Sequence, residues 1–159
     1  MEFVDESKIR AIVLAVFEDL RVRLEELLPG ARIEHVGATS VPGAVTKGDL
    51  DICVLVERDA FQGADRLLAE HFARNVGSDQ THSLSSFVVS SKPLPVGVQL
   101  VVSGGEGDLF VRWRDLLRRS PEVLKEYNQI KLRWHGGAHG DYRVAKSEFI
   151  EAALRAARR

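Results

Sequence analysis

Apolar residues recur at three- and four-residue steps near the start of the chain: Ile9, Ile12, Val13, Val16, Phe17, Leu20, Leu24, Leu27 and Leu28. That spacing predicts an amphipathic helix from about Asp5, stopped by Pro29-Gly30. Arg32 to Val36 then reads as a strand, and the run Gly-Asp-Leu-Asp-Ile-Cys-Val-Leu-Val from Gly48 to Val56 as a second. Asp59 is placed to cap a helix over about Ala60 to Arg74, with Ala64, Leu67, Leu68 and Phe72 inward. Residues 76–83 are polar and carry no period. Leu84 to Val89 predicts a strand, and Lys92 to Pro95 a turn. Val96, Val98, Leu100 and Val102 alternate in a half-buried strand, close enough to the preceding one to form a hairpin.

The rest of the chain is helical. Asp108 can cap a helix to Arg119 with Leu109, Phe110, Trp113, Leu116 and Leu117 inward. Ser120-Pro121 supplies a cap and then proline at the first helical position, restarting a helix to about His135. After the glycine-rich break, Asp141 caps a last helix to Arg159. These elements alternate closely enough to predict one α+β domain over residues 1–159.

Between the first two strands lies the candidate chemistry. Side chains alternate across a sheet, so Asp49 and Asp51 point to one face while Leu50, Ile52 and Val54 point to the other. Their Cα atoms should stand about 6.5–7 Å apart. Like charges that close must be hydrated, share a proton or hold a cation. The cation is the leading reading, and Mg²⁺ is the natural partner of hard oxygen ligands. Ahead of the pair, Gly37 followed by Ala38, Thr39 and Ser40 is a small-residue corner whose amides and hydroxyls can approach a phosphate.

Bulk properties narrow the classes. A formal charge of −1 gives no global attraction to nucleic acid or to a membrane surface. The single cysteine excludes an internal disulfide and a multi-cysteine metal site. The first residues lack a basic start and an apolar run, and no apolar stretch approaches the roughly 18 residues of a spanning helix. A cytoplasmic protein is expected. A Gly-x-x-x-x-Gly-Lys string is absent, which argues against a kinase or ATPase of that type.

The string His35-Val36-Gly37-Ala38-Thr39-Ser40-Val41-Pro42-Gly43, with the Asp-Leu-Asp step after it, resembles the GrpB family and, more widely, the nucleotidyltransferase-fold superfamily. Arg114, Asp115, Leu117 and Arg118 loosely match a later family segment, and Tyr127, Lys131, Tyr142, Lys146, Phe149 and Ile150 match its last helices. Lys47 corresponds to a family lysine before the acidic step. The resemblance implies a nucleotidyltransferase-like small mixed β-sheet flanked by helices. It implies Mg²⁺-dependent binding of a nucleoside triphosphate, with nucleotidyl transfer to the hydroxyl of an acceptor it does not identify. Asp49 and Asp51 would be the metal-holding catalytic pair, and Gly37, Thr39 and Ser40 would face phosphate. Two departures matter: Ala38 replaces a family serine, and the position of the superfamily's third carboxylate falls on Gln99, which cannot ionise. Those departures keep open a catalytically inactive nucleotide sensor, and the resemblance to a fold that some antitoxins share keeps open an antitoxin-like interaction module.

Other residues carry plainer readings beside functional ones. Lys131 and Lys146 each follow a tyrosine by four residues, so the stem can lie over the ring with the ammonium in solvent, or the ammonium can reach the triphosphate. His35 is read as a hydrogen-bonded residue orienting the loop. His135 and His139 are separated by glycines that break the spacing of a zinc pair. Cys53 is read as a buried filler. Arg112, Arg114, Arg118 and Arg119 read as a solvated helix face without the stacking partners that RNA binding uses.

Overall fold

The computed structural model describes residues 2–90, 93–137 and 139–158, with the side chain of His139 outside the described part. The readings placed on Lys92, on a His135–His139 pair and on Arg159 as the chain's last helical residue therefore fall outside it. The chain opens with β1 (Val4–Asp5), α1 (Arg10–Leu27), β2 (Arg32–Val36), β3 (Val45–Thr46) and β4 (Leu50–Val56). It continues through α2 (Phe61–His71), β5 (Ala73–Arg74), β6 (Leu84–Val89) and β7 (Val96–Val102). Three helices close it: α3 (Asp108–Arg119), α4 (Pro121–Arg133) and α5 (His139–Ala156).

Five strands form a mixed sheet in the order β2-β4-β7-β6-β5, in which β4 and β7 run parallel and the other pairs antiparallel. The expected β6–β7 hairpin is present, from Val89 opposite Val96 to Leu84 opposite Val101. The β1–β3 pair stands apart from this sheet.

Alternation decides what each sheet face meets. Leu50, Ile52 and Val54 of β4 join Val96, Val98 and Leu100 of β7 beneath Val13 and Leu24 of α1 and Leu68 of α2. Each such fully buried aliphatic side chain contributes about 1.5–3 kcal/mol of transfer free energy. On the opposite face Cys53, Leu55 and Val101 meet Val111 of α3. A third cluster ties the last three helices together through Trp113, Leu117, Tyr127 and Leu154, and it also takes in Val41 and Ala44 from the loop after β2.

Several boundaries differ from the periodicity. Asp5 caps a 3₁₀ turn at Glu6–Lys8 by accepting from the Ser7 amide, and α1 begins only at Arg10. Asp59 lies inside another 3₁₀ turn, Arg58–Ala60, ahead of α2. That helix ends at His71 because Phe72 adopts an extended conformation, sinks into the core, and leads into β5. Gly107 rather than Asp108 precedes α3, Leu109 is exposed, and Asp141 lies in the first turn of α5. Among the described residues no helix is long and apolar enough to cross a membrane.

Candidate functional site

The turn out of β2 passes directly over Asp51. Val36 and Asp51 are register partners on the antiparallel strands β2 and β4, so the next residue, Gly37, lies against the carboxylate. Gly37 turns the chain at φ 74° and ψ −177°, a conformation open essentially to glycine alone. A Cβ there would overlap Oδ2 of Asp51 and stand 3.0 Å from that residue's Cβ and Cγ. On the other flank Asp51 is the partner of Gly97 on β7, where a Cβ would stand 3.4 Å from Asp51 Oδ1 and 3.4 Å from Gln99 Nε2. The carboxylate of Asp51 thus packs closely against one glycine on each flank.

Asp49, one residue before β4, lines the same cleft of about 540 Å³, together with Gly37, Lys47, Asp51, Gln99, Lys131 and Lys146. Phe110, Trp113, Tyr142 and Ile150 from α3 and α5 form an apolar part of its wall. The two acids thus share a side, as the alternation requires. Burial, with the Asp49 charge next, pushes the Asp51 carboxyl up to about 6, against the pull of Lys146, Lys47 and Lys131.

Lys131 departs from the reading that puts its ammonium in solvent. The ammonium itself lies over the Tyr127 ring, 4.0 Å from its centre, and donates to the Val45 carbonyl at 2.6 Å. The residue is only 2% exposed. Burial, then the neighbouring Lys146, brings its pKa down to about 7. Asn128, one turn earlier on α4, accepts from the Val45 amide and donates to the Gly43 carbonyl, each at 2.9 Å. Helix α4 thereby pins the segment that carries Asp49 into β4. Lys146 is half-buried on α5 and lines the cleft.

Thr39 and Ser40 are placed elsewhere. Both are buried and line a second recess on the reverse of the loop. Thr39 Oγ1 donates to the Asp49 carbonyl at 3.1 Å and contacts His35 Nε2 at 3.0 Å. A hydroxyl has one proton, so the His35 nitrogen is the donor in that second contact. Ser40 Oγ donates to the Gly37 carbonyl at 2.6 Å. Of the expected phosphate-facing set, Gly37, Lys131 and Lys146 line the cleft, whereas these two hydroxyls serve the loop's own geometry.

His35 orients that loop, as its position suggested. Its ring stacks on Phe17 with centroids 5.1 Å apart. Burial, then Arg118 and Arg114, pull its pKa down to about 4, so the ring is neutral at pH 7. Cys53 is a buried filler whose thiol is pushed up to about 12 by burial.

The basic helix face needs correction at Arg114, while Arg118 and Arg119 are exposed as read. Arg114 is buried, pairs with Glu34 and Asp115, and donates to the His35 carbonyl at 3.0 Å. Arg118 donates twice to the Ser40 carbonyl, at 3.0 and 2.6 Å. Arg114 braces the end of β2 from a buried position, whereas Arg118 remains exposed, as read, while holding the loop after β2 through the Ser40 carbonyl. Glu34, His35 and Ser40 are far from these arginines in sequence, and the one signal for the pairing is the segment match carried by Arg114, Asp115, Leu117 and Arg118.

Hard carboxylate oxygens from two residues lining one cleft fit a small divalent cation. Among the described residues no cluster of three His, Cys, Asp or Glu groups suited to a metal occurs. A metal held by Asp49 and Asp51 would take its other ligands from water and phosphate, as Mg²⁺ usually does.

A protein-family model described as GrpB protein matches residues 11–156. A UPF0157 protein of Vibrio cholerae is 36% identical over 155 residues, 97% of this chain and 82% of the relative. A UPF0157 protein of Deinococcus radiodurans is 27% identical over 148 residues, 90% of this chain and 76% of the relative. Among solved structures, the conserved protein GrpB from Enterococcus faecalis superposes with a TM-score of 0.76 at 18% identity over 99% of both chains. The Cid1 poly(U) polymerase bound to MgGTP superposes with a TM-score of 0.52 at 18% identity, covering 77% of this chain and 40% of the polymerase. At these identities the structural likeness is one of fold, and that fold is nucleotidyltransferase-like.

Proposed function

The chain belongs to the GrpB family, and from that premise we propose that it binds a nucleoside triphosphate through Mg²⁺ and transfers a nucleotidyl group to an acceptor hydroxyl. One observation carries the reading: Asp49 and Asp51 face the same cleft as Lys131 and Lys146, beside a glycine corner with no space for a side chain. Asp49 and Asp51 would hold the metal, which when bound offsets charge on the phosphates and polarises the phosphorus under attack. Lys146 and Lys131 bring positive charge to the same cleft, and Gly37 allows a phosphate to approach the backbone. Thr39, Ser40, Arg114, Arg118 and Asn128 position these groups without touching the ligand. The solved MgGTP complex of Cid1, on the shared fold, supports the ligand class.

One observation favours a second reading, a nucleotide sensor without turnover. Gln99 occupies the β7 position beside Asp51 where the resemblance implies a third carboxylate, and a carboxamide cannot take a proton from an attacking hydroxyl. General-base assistance is worth about 10²- to 10⁴-fold in rate. Calorimetric titration with ATP and GTP, with and without Mg²⁺, tests the binding shared by both readings. Metal-dependent affinity lost by about tenfold or more in Asp49→Asn and Asp51→Asn is expected; unchanged binding in those variants contradicts it. Transfer of labelled nucleotide to an acceptor in cell extract then favours the transferase, and its absence the sensor.

A further inference from the structure

Gln99 projects from β7 onto the cleft face of the sheet, opposite Cys53 of β4 in the parallel register and opposite Ser86 of β6 in the antiparallel one. Its carboxamide oxygen is shut away from solvent and has no hydrogen-bond partner among the described residues. Such a group costs about 1–3 kcal/mol, so proteins seldom keep one without a use. The amide nitrogen lies on the Asp51 side, since it and Asp51 Oδ1 flank the same missing Cβ of Gly97. A donor turned toward a carboxylate is the electrostatically sensible orientation, and it leaves the oxygen as the orphaned end. The terminal torsion of glutamine is broad and roughly two-fold. Rotation about it turns the oxygen to the cleft, where a donor on a bound ligand gives it the hydrogen bond it lacks in the empty form, while the amide nitrogen takes the enclosed position.

We propose that Gln99 selects a ribonucleotide by accepting a hydrogen bond from a ribose hydroxyl of the molecule held at Asp49 and Asp51. This rests on the nucleotide reading above. The sugar is the part of a nucleotide joined directly to the α-phosphate, and Gln99 is next to the carboxylate that would hold the metal on that phosphate. The cleft, at about 540 Å³, lies in the range of sites for single small ligands. A site built around a hydroxyl rejects the analogue lacking it, because its own polar group is then stranded.

Two measurements on the intact chain test this. The first is thermal unfolding of the ligand-free protein carrying Gln99→Met, which keeps the side-chain length without polar atoms. A residue kept for a ligand predicts an unchanged Tm or a rise of about 2–4 °C. A fall of several degrees makes Gln99 a structural residue and overturns the proposal whatever the ligand. The second compares Mg·ATP with its 2′-deoxy and 3′-deoxy analogues by calorimetry. Wild type should prefer ATP over at least one analogue by about 5- to 100-fold, and Gln99→Met should erase the preference while still binding. Equal affinities in wild type, or a preference that survives Gln99→Met, overturn the selection by Gln99 and leave nucleotide binding standing. Failure of the wild type to bind any of the three overturns the nucleotide reading itself, and the ribose assignment with it.

Discussion

Gly37 is packed against the carboxylate of Asp51 with no space for a side chain between them. The pairing of Val36 with Asp51 across β2 and β4 sets this contact, and the positive φ of Gly37 completes it. Replacing Gly37 with alanine forces a glycine-only backbone region and an overlap with Oδ2 at once. The expected loss is about 2–5 kcal/mol in urea unfolding. Gly97→Ala is the control: its Cβ meets Asp51 and Gln99 at 3.4 Å, so it should cost little stability and weaken metal-dependent binding. A Gly37→Ala protein as stable as wild type contradicts the packing described.

Asp51 is held against its own ionisation. Its carboxyl is pushed up to about 6 from an ordinary 3.8, so between those values the folded state binds more protons than the unfolded one. Stability therefore falls as pH rises through that window, and the cost is complete above about pH 6. Asp51→Asn should raise the stability of the ligand-free protein at pH 7 by about 1–3 kcal/mol, with no gain near pH 4. The same variant should lose protection by Mg²⁺ and nucleotide in thermal unfolding.

His35 contributes with the opposite sign. Its pKa of about 4 lies below the ordinary 6.5, so the unfolded chain takes up the proton first. The stability this provides is full above about pH 6.5 and is lost as pH falls through 4. Because the Asp51 and His35 slopes oppose each other, the wild-type profile partly hides both. The difference between wild type and His35→Gln across pH 4–7 should expose the His35 slope. Thr39→Val breaks the bond to the Asp49 carbonyl and strands the His35 donor, for an expected cost of about 1–3 kcal/mol in urea unfolding at pH 7.

Lys131 gives nucleotide affinity a pH dependence. Its ammonium has a pKa near 7 in the ligand-free cleft, and an anionic ligand favours the charged form. Affinity for Mg·ATP should fall as pH rises from 7 to 9, by about tenfold per unit at the limit. Lys131→Arg, which stays charged, should flatten the slope in calorimetry at several pH values. A wild-type slope unchanged by that variant removes Lys131 from the ligand's surroundings.

The sequence carried the larger elements because period and length agree there. Val96, Val98, Leu100 and Val102 alternate cleanly, and β2, β6, β7 and α3 fall on their predicted spans. Strands β1, β3 and β5 have two residues each, too few for any period to register. Asp49, Asp51 and Gly37 were legible as a group because strand alternation and glycine's conformational range are local properties. The outward reading failed for Arg114 because polarity predicts solvent, and its acceptors, Glu34 and His35, lie on the distant strand β2. Thr39 and Ser40 were legible as loop formers, yet which way their hydroxyls turn depends on Asp49 and Gly37 carbonyls that only the fold brings close.

Crystals soaked with Mn²⁺ and a non-hydrolysable triphosphate put the central claim to its most direct test. An anomalous peak is expected about 2.1 Å from carboxylate oxygens of both Asp49 and Asp51, with phosphate oxygens completing the shell. A peak bound elsewhere, or a triphosphate seated away from Gly37 with neither aspartate engaged, contradicts it.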